Sequence, residues 1–510
     1  MTQFQFHTPC FGHQERIFNE TKNTPQYGIF WEMGGGKSKH IVDLAAYLYL
    51  NNVIDAVFIV APNGVHANWD MPGEGIQRHL APELLNQSKR LIWHSKRSQH
   101  KATKIAYANM MAAKFAWLFM AVDAINTKDG YAAAEYLLKR RRVLFVIDES
   151  QRIKNSRAQC TKRMNKLRKA SLSHWRRILT GTPAEDKPFD VYSQIEWLIP
   201  GYWLQQGIGS VIAFRHTFAD WRKAKMPNGH EIEVQLRDRT TGALIYKNLD
   251  VLTKMMRPIS SRLLKTEMLD LPPKVYSRLY YELDPKQREL YDRMEQDFAV
   301  WWNENGVIDP DSEEDVAAND EVLFTASAEL PITRQLRLHQ LAMGYITTDE
   351  GDILKAVDPN PALELLRTVT SDLPHSAIIF CRFRKDVELI EEMLGDSAVA
   401  IHGGVGGEDR VKAVQAFQAG DAPFIIGTNA MAEGWTLTRA KTIFYYSNDR
   451  RLGKRQQGED RAHRPGQDQK LNIVDIIARN TISEMILESL IQKQEISAQV
   501  MGDRIRQKWL

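Results

Sequence analysis

Two short stretches of this sequence hold the residue types that phosphate chemistry needs. The first is Trp31-Glu32-Met33-Gly34-Gly35-Gly36-Lys37-Ser38. Its glycines let backbone N–H groups close around phosphate oxygens, Lys37 can reach the β- and γ-phosphates of a nucleotide, and the Ser38 hydroxyl can ligate Mg2+. The strict pattern is not met in full, because Trp31 stands where the first glycine would be. The second stretch is Asp148-Glu149. Two adjacent carboxylates can divide the labour: Asp148 would hold the Mg2+ shell while Glu149 orients and deprotonates an attacking water. A helix N-cap is the competing reading of this pair, since Asp favours that position. The glycine turn upstream favours the chemical reading, and the two signals reinforce each other.

Both stretches have the setting they require. Tyr27 to Phe30 reads as a strand entering the glycine turn, and a helix with apolar positions Ile41, Leu44, Ala45 and Leu48 follows. Val143 to Ile147 reads as a buried strand that delivers Asp148 and Glu149 to the carboxyl edge of a sheet, where α/β proteins bind ligands. Further strand candidates in this first part are Ala56–Val60, Trp117–Val122 and Arg177–Thr180. A second set of apolar runs, at Ala377–Cys381, Ala398–Ile401, Phe424–Gly427, Thr442–Tyr446 and Asn472–Ile477, predicts a second parallel α/β domain. We therefore expect domains over 1–188 and 359–480, a mainly helical insertion over 189–358, and a helical tail over 481–510. Turn signals at Pro227-Asn228-Gly229 and Thr240-Thr241-Gly242 suggest a hairpin inside the insertion. Asp309 to Glu321 is acidic without a basic residue and reads as a solvated loop.

Composition sets outer limits. At 510 residues the chain can bury more than one core. Its 67 Lys and Arg against 63 Asp and Glu leave a net charge of +4, too small to identify a polyanion partner, so a nucleic-acid surface would have to come from local clustering. Candidates for such clusters are Lys139 to Arg142 and the group Lys162, Arg163, Lys166, Arg168 and Lys169, although solvated helix faces are the preferred account of both. The apolar runs are strand-sized, well short of the ~20 residues of a spanning helix. No secretory signal opens the chain, and three scattered cysteines suit a reducing compartment, so we expect a cytoplasmic protein, associated with a nucleoid or in a host cytoplasm.

Asp148-Glu149-Ser150-Gln151-Arg152-Ile153-Lys154-Asn155 resembles motif II of the Swi/Snf-type superfamily-two translocases, which commonly reads Asp-Glu-Ala-His followed by Arg-Ile-Lys-Asn. Further resemblances follow in order. Gln14 precedes the phosphate loop. Val60-Ala61-Pro62 with Asn68-Trp69 is similar to motif Ia, and Leu179-Thr180-Gly181-Thr182-Pro183 to motif III. Arg262 and Leu271-Pro272-Pro273-Lys274 resemble the family's basic stretch and the bridge after it. Ile378-Ile379-Phe380 resembles motif IV, and Gly427 to Leu437 keeps the outline of motif V. Gln457-Gly458-Glu459-Asp460-Arg461-Ala462-His463-Arg464-Pro465-Gly466-Gln467 follows motif VI almost residue for residue.

The resemblance implies an α/β fold of two RecA-like parallel-sheet P-loop domains in tandem, an ATPase using ATP and Mg2+, and a motor on double-stranded DNA. It implies a compact form such as viral and bacterial members have. It places Gln14, Gly434 and Gln457 with the nucleotide and gives Arg461 and Arg464, three apart and on one face if helical, to the γ-phosphate. Asn68, Trp69, Arg382, Thr428 and Asn429 are the implied nucleic-acid contacts, and Gln151, Thr180 and Thr182 the coupling residues. Gln151 stands where the resemblance implies a histidine that helps couple ATP to motif III. A strand-separating helicase on single-stranded or forked DNA, a restriction-type motor subunit and an ATP-gated scaffold remain open alternatives. The hairpin near Asn228 is a candidate wedge for the first of these.

Overall fold

The computed structural model describes residues 4–503 apart from 64, 226–229, 239–242, 269, 306–328, 348–352, 429–430, 432–434 and 465. Asn429, Gly434, the acidic stretch Asp309–Glu321 and both turn signals of the insertion lie outside the described residues.

Runs of apolar residues at the start of the chain become strands covered on both faces, as parallel sheets require. In chain order they are β1 (Gln26–Trp31), β2 (Ala56–Ala61), β3 (Ser88–Ile92), β4 (Phe115–Ala121), β5 (Val143–Asp148) and β6 (Arg176–Leu179). An antiparallel hairpin of β7 (Trp221–Lys225) and β8 (Glu231–Gln235) follows, and then β9 (Ser260–Leu263). The first sheet is wholly parallel, in the order β3-β4-β2-β5-β6-β1-β9. Phe58 of β2 stacks on Phe145 of β5 at 4.8 Å, and Trp197 packs edge-on against the latter ring at 4.9 Å. Offset and edge-on aromatic pairs of this kind add roughly 0.5–1.5 kcal/mol to their area burial.

The rest of the chain supplies β10 (Lys274–Tyr281), the short pair β11 (Tyr345–Thr347) and β12 (Ile353–Lys355), β13 (Ala377–Phe380), β14 (Ala398–Ile401), β15 (Phe424–Gly427), β16 (Thr442–Tyr445) and β17 (Leu471–Ala478). Its main sheet is also wholly parallel, ordered β10-β17-β16-β13-β15-β14. The fold class is thus α/β with two parallel sheets. The chain separates into two compact units, one of Met1–Phe218, Lys247–Asp270 and Ile496–Arg504, the other of Ala219–Tyr246, Leu271–Glu495 and Ile505–Leu510.

Three strands of the two main sheets escaped the sequence reading, each for a physical reason. β3 is an edge strand whose residues are mostly half-exposed, so no unbroken apolar run marks it. β9 is four residues, Ser-Ser-Arg-Leu, and its burial comes from neighbours distant in sequence. β10 lies at the edge of the second sheet and pairs with β17 through all eight of its residues. Both β9 and β10 come from the stretch expected to be mainly helical. No helix among the described residues is long and apolar enough to cross a membrane.

Candidate functional site

Because the first sheet is parallel, the carboxyl ends of β1, β2, β5, β6 and β9 share one edge, and the glycine turn, Asn68-Trp69, Asp148-Glu149, Thr180–Thr182 and Arg262 all follow or close those strands. At the turn, Gly34 (φ 86°) and Gly36 (φ 74°) take left-handed backbone, and Lys37 opens the helix Lys37–Leu50. A Cβ on Gly36 would come within 1.9 Å of Gln14 Nε2 on an already left-handed backbone, and one on Gly35 within 2.7 Å of Met268 Sδ, so a side chain at either position would displace the neighbour that lies against the turn. Lys37 Nζ donates to the carbonyl oxygens of Trp31 (2.8 Å) and Glu32 (3.4 Å), partners that phosphate oxygens can replace. The Gln14 amide is also committed. Its Nε2 donates to Gly35 O (3.3 Å) and Gly36 O (3.5 Å), while Oε1 accepts from the Phe11 N–H (3.0 Å). Gln14 here braces the loop. Trp31 replaces glycine without filling the cradle, because its indole turns into the core, donating to Ser261 Oγ (2.9 Å) and packing on His40 (5.2 Å).

Asp148 ends β5 almost fully buried. Trp69 Nε1 donates to its Oδ2 (3.1 Å) and the Glu149 N–H to its Oδ1 (3.0 Å), so among the described residues each oxygen keeps a free lone pair. Burial, and after it the Glu149 charge, raise the Asp148 pKa to about 7. The Lys37 ammonium opposes them, so the two stretches lie within electrostatic reach. Glu149 sits at φ 51°, left-handed backbone that costs a non-glycine residue about 1–3 kcal/mol and is typical of working sites. Gln151 Nε2 donates to Glu149 Oε2 (2.8 Å). Among the described residues the donor set fits a nucleotide with Mg2+: one ammonium held by two carbonyls, a glycine turn with neighbours packed close against it, a half-buried Ser38 hydroxyl at the helix start, and a carboxylate with lone pairs to spare.

Thr180 is fully buried, and its Oγ1 accepts from the Thr182 N–H (2.9 Å). Arg262 joins the motif ends. Its Nη1 donates to Phe30 O (3.0 Å) and Gly181 O (2.9 Å), Nη2 reaches Glu32 Oε1 (3.4 Å), and Nε and Nη2 grip Asp503 (3.1 and 2.8 Å). One sequence expectation changes here. Trp69 is 3% exposed with its indole N–H on Asp148, so it faces inward, whereas Asn68 beside it is half-buried. Arg141 and Arg142 pair with Asp55 at the amino end of β5, the edge opposite Asp148. On the helix Gln159–Ala170, Arg163 and Arg168 donate to backbone carbonyls, while Lys162, Lys166 and Lys169 are exposed.

In the second unit, Arg461 is the penultimate residue of the helix Leu452–Ala462, and Arg464 lies beyond its end. The expectation of a shared helix face therefore fails, because Arg464 precedes proline, a position that disfavours helical backbone. The pair still converges: Arg461 Nη1 donates to Trp435 O (3.4 Å) and Arg464 Nη1 to Thr436 Oγ1 (2.8 Å). Gln457 is half-buried on the same helix. Arg382, just past β13, donates from Nη1 to His339 Nδ1 (3.0 Å) and lies 5.2 Å from the Phe383 ring centroid. Thr428, just past β15, accepts from the Met431 N–H (2.8 Å).

The SNF2-related domain family matches residues 18–329, and the helicase conserved C-terminal domain matches residues 361–466. The chain belongs to the SNF2-related family. Its relatives include the nuclear protein STH1/NPS1 of Saccharomyces cerevisiae, 23% identical over 92% of this chain and 33% of that protein. The ATP-dependent helicase brm of Drosophila melanogaster is 25% identical over 92% of this chain and 27% of its own length. This chain therefore spans about a third of the length of such relatives. A solved structure, the Sulfolobus solfataricus SWI2/SNF2 ATPase core in complex with dsDNA, matches at 18% identity and TM-score 0.40, covering 99% of each chain.

Sequence reasoning missed how this SNF2-related chain anchors its motif VI helix. Arg455 forks onto Asp475 (2.6 and 2.9 Å) and reaches Glu459 Oε1 (3.2 Å), while Glu459 Oε2 accepts from Lys274 Nζ (2.9 Å) and Tyr276 OH (2.9 Å). Arg455, Glu459 and Asp475 are buried, so the helix is tied to β10 and β17 by charge-assisted bonds that water barely screens. Arg455 and Glu459, four apart with the second inside the motif VI match, were the signal available.

Proposed function

We propose that this SNF2-related chain is an ATP-dependent translocase on duplex DNA, with the nucleotide site at the carboxyl edge of the first sheet. The observation that carries the reading is the meeting there of Lys37 and Asp148, each held by groups that leave its functional atoms available to a ligand. Lys37 and the glycine-turn N–H groups would hold the phosphates, and Ser38 and Asp148 would ligate Mg2+, which when bound neutralises phosphate charge. Glu149 would take the proton of the attacking water, held in place by Gln151. Arg461 and Arg464 would stabilise charge developing on the γ-phosphoryl oxygens, a role worth roughly 10³–10⁵ in rate. Asn68, Arg382, Thr428 and Asn429 would follow the DNA backbone, giving binding with little sequence preference and steep salt dependence.

The test is ATP hydrolysis by the purified protein alone and with duplex DNA, single-stranded DNA or RNA, with Glu149→Gln as control. Stimulation chiefly by duplex, lost in the variant, is expected. Preference for a single strand or for RNA overturns the duplex assignment, and no hydrolysis with any polymer overturns the motor.

A further inference from the structure

Where the family commonly carries Ala-His after its acidic pair, this chain carries Ser150-Gln151. Among the described residues the histidine's replacement makes no hydrogen bond to motif III. Among the described residues, Gln151 Nε2 is spent on Glu149 and its Oε1 is buried without a donor. Ser150, which brings a hydroxyl where alanine has none, is fully buried and donates to Gln194 Oε1 at 2.6 Å. Gln194 is itself fully buried in the helix Asp190–Leu198, and its Nε2 donates to Pro183 O (2.7 Å) and Asp190 O (2.8 Å). Carbonyl oxygens only accept, so the amide nitrogen must face Pro183 and Asp190 and the amide oxygen must face Ser150. Pro183 is the last residue of motif III. A second link runs alongside: Lys154, in the same motif II stretch, pairs with Glu185 (3.4 Å) and Asp186, just past motif III. Asp190 Oδ2 then accepts from the Asp186 and Lys187 N–H groups, fixing that segment to the helix that carries Gln194.

We infer that motif II communicates with motif III through Ser150 and Gln194, a positioning pair that takes over the link given elsewhere to the motif II histidine. A displacement of the Glu149 turn moves Ser150, and the fully bonded Gln194 amide passes that movement to Pro183, because a buried polar network cannot stretch without losing bonds. The inference rests on the translocase reading for its consequence, the coupling of ATP turnover to DNA, but its geometry does not.

Two measurements on the full chain test it. In the first, hydrogen exchange across residues 179–186 is compared with and without a non-hydrolysable ATP analogue. In the second, turnover is compared with and without duplex DNA. In Ser150→Ala the nucleotide-induced change in exchange should shrink. Duplex-stimulated turnover should fall about three- to tenfold, the worth of one buried neutral hydrogen bond, while basal turnover and the KM for ATP stay within about twofold. Adding Ser150→Ala to Gln194→Met, which keeps volume and removes the amide, should cost nothing further. The inference is overturned if Ser150→Ala leaves both the exchange change and the stimulation intact. It is equally overturned if basal and stimulated rates fall together with the melting temperature, the mark of a merely structural bond. A wild type without duplex stimulation overturns the translocase reading instead, and the exchange comparison still decides the relay.

Discussion

Replacing Trp69 with phenylalanine isolates one bond in the metal-binding half of the candidate site. The phenyl ring keeps most of the packing of a side chain only 3% exposed, but it removes the Nε1–H that Asp148 Oδ2 accepts at 3.1 Å. A hydrogen bond to an ionised acceptor contributes roughly 1.5–3 kcal/mol, which is about 10- to 150-fold in an equilibrium constant. Groups that orient a metal ligand commonly account for about 10- to 100-fold in metal affinity, so two routes give the same magnitude. Trp69 also opposes the rise in the Asp148 pKa. Without it that pKa climbs beyond about 7, the carboxyl is protonated more of the time at neutral pH, and protons compete with metal. ATPase rate against free Mg2+ should therefore show the half-saturating concentration raised about 10- to 100-fold in Trp69→Phe, more at pH 6.5 than at pH 8.5, with most of the maximal rate recovered at high Mg2+. An unchanged Mg2+ dependence with a lowered melting temperature would refute the reasoning, since it would leave Trp69 as packing alone.

Two further outcomes follow from buried charges. Arg262→Ala strands Asp503 and the carbonyls of Phe30 and Gly181, so urea unfolding of the first unit should lose about 3–5 kcal/mol; Asp503→Asn, which spares the carbonyl bonds, should lose less, and equal losses would count against Arg262 as a hub. Asp386 has its pKa raised to about 6, first by burial, although Ser447 and Tyr345 donate to it. A raised folded-state pKa means that its share of stability is complete below about pH 4 and is lost as pH rises through about 6, so Asp386→Asn should flatten the melting temperature between pH 4 and 7.5, and a slope equal to wild type would show that other groups set it.

The two parallel sheets were legible because their central strands are unbroken apolar runs, and burial on both faces leaves no alternation to confuse. β3, β9 and β10 were not, since edge strands borrow stability from neighbours and carry serine, arginine or lysine where water is near. The glycine turn and the acidic pair were equally legible, for a local reason: each is a contiguous stretch whose chemistry is complete within eight residues. The expected helical face for Arg461 and Arg464 failed on a local signal too, the proline after Arg464, which should have ended the helix sooner.

What no local reading could supply is the set of partners that hold the site. Trp69 finds Asp148 79 residues away, Ser150 finds Gln194 across 44, and Arg262 finds Asp503 across 241. Each departure from the family pattern makes sense only with such a partner in view. Trp31 replaces glycine safely because its indole lies against His40 and Ser261 rather than in the phosphate cradle. Gln151 can give up histidine's reach toward motif III because the hydroxyl next to it, absent when that position is alanine, finds Gln194. Read singly, the two substitutions in motif II look like losses. Read together, the second removes a link and the first builds one, so Ser150 and Gln151 should be exchanged as a pair: Ser150→Ala with Gln151→His should retain more duplex stimulation than Ser150→Ala alone, measured as the ratio of stimulated to basal turnover, and a ratio no better than the single variant's would show that histidine cannot make the contact in this chain.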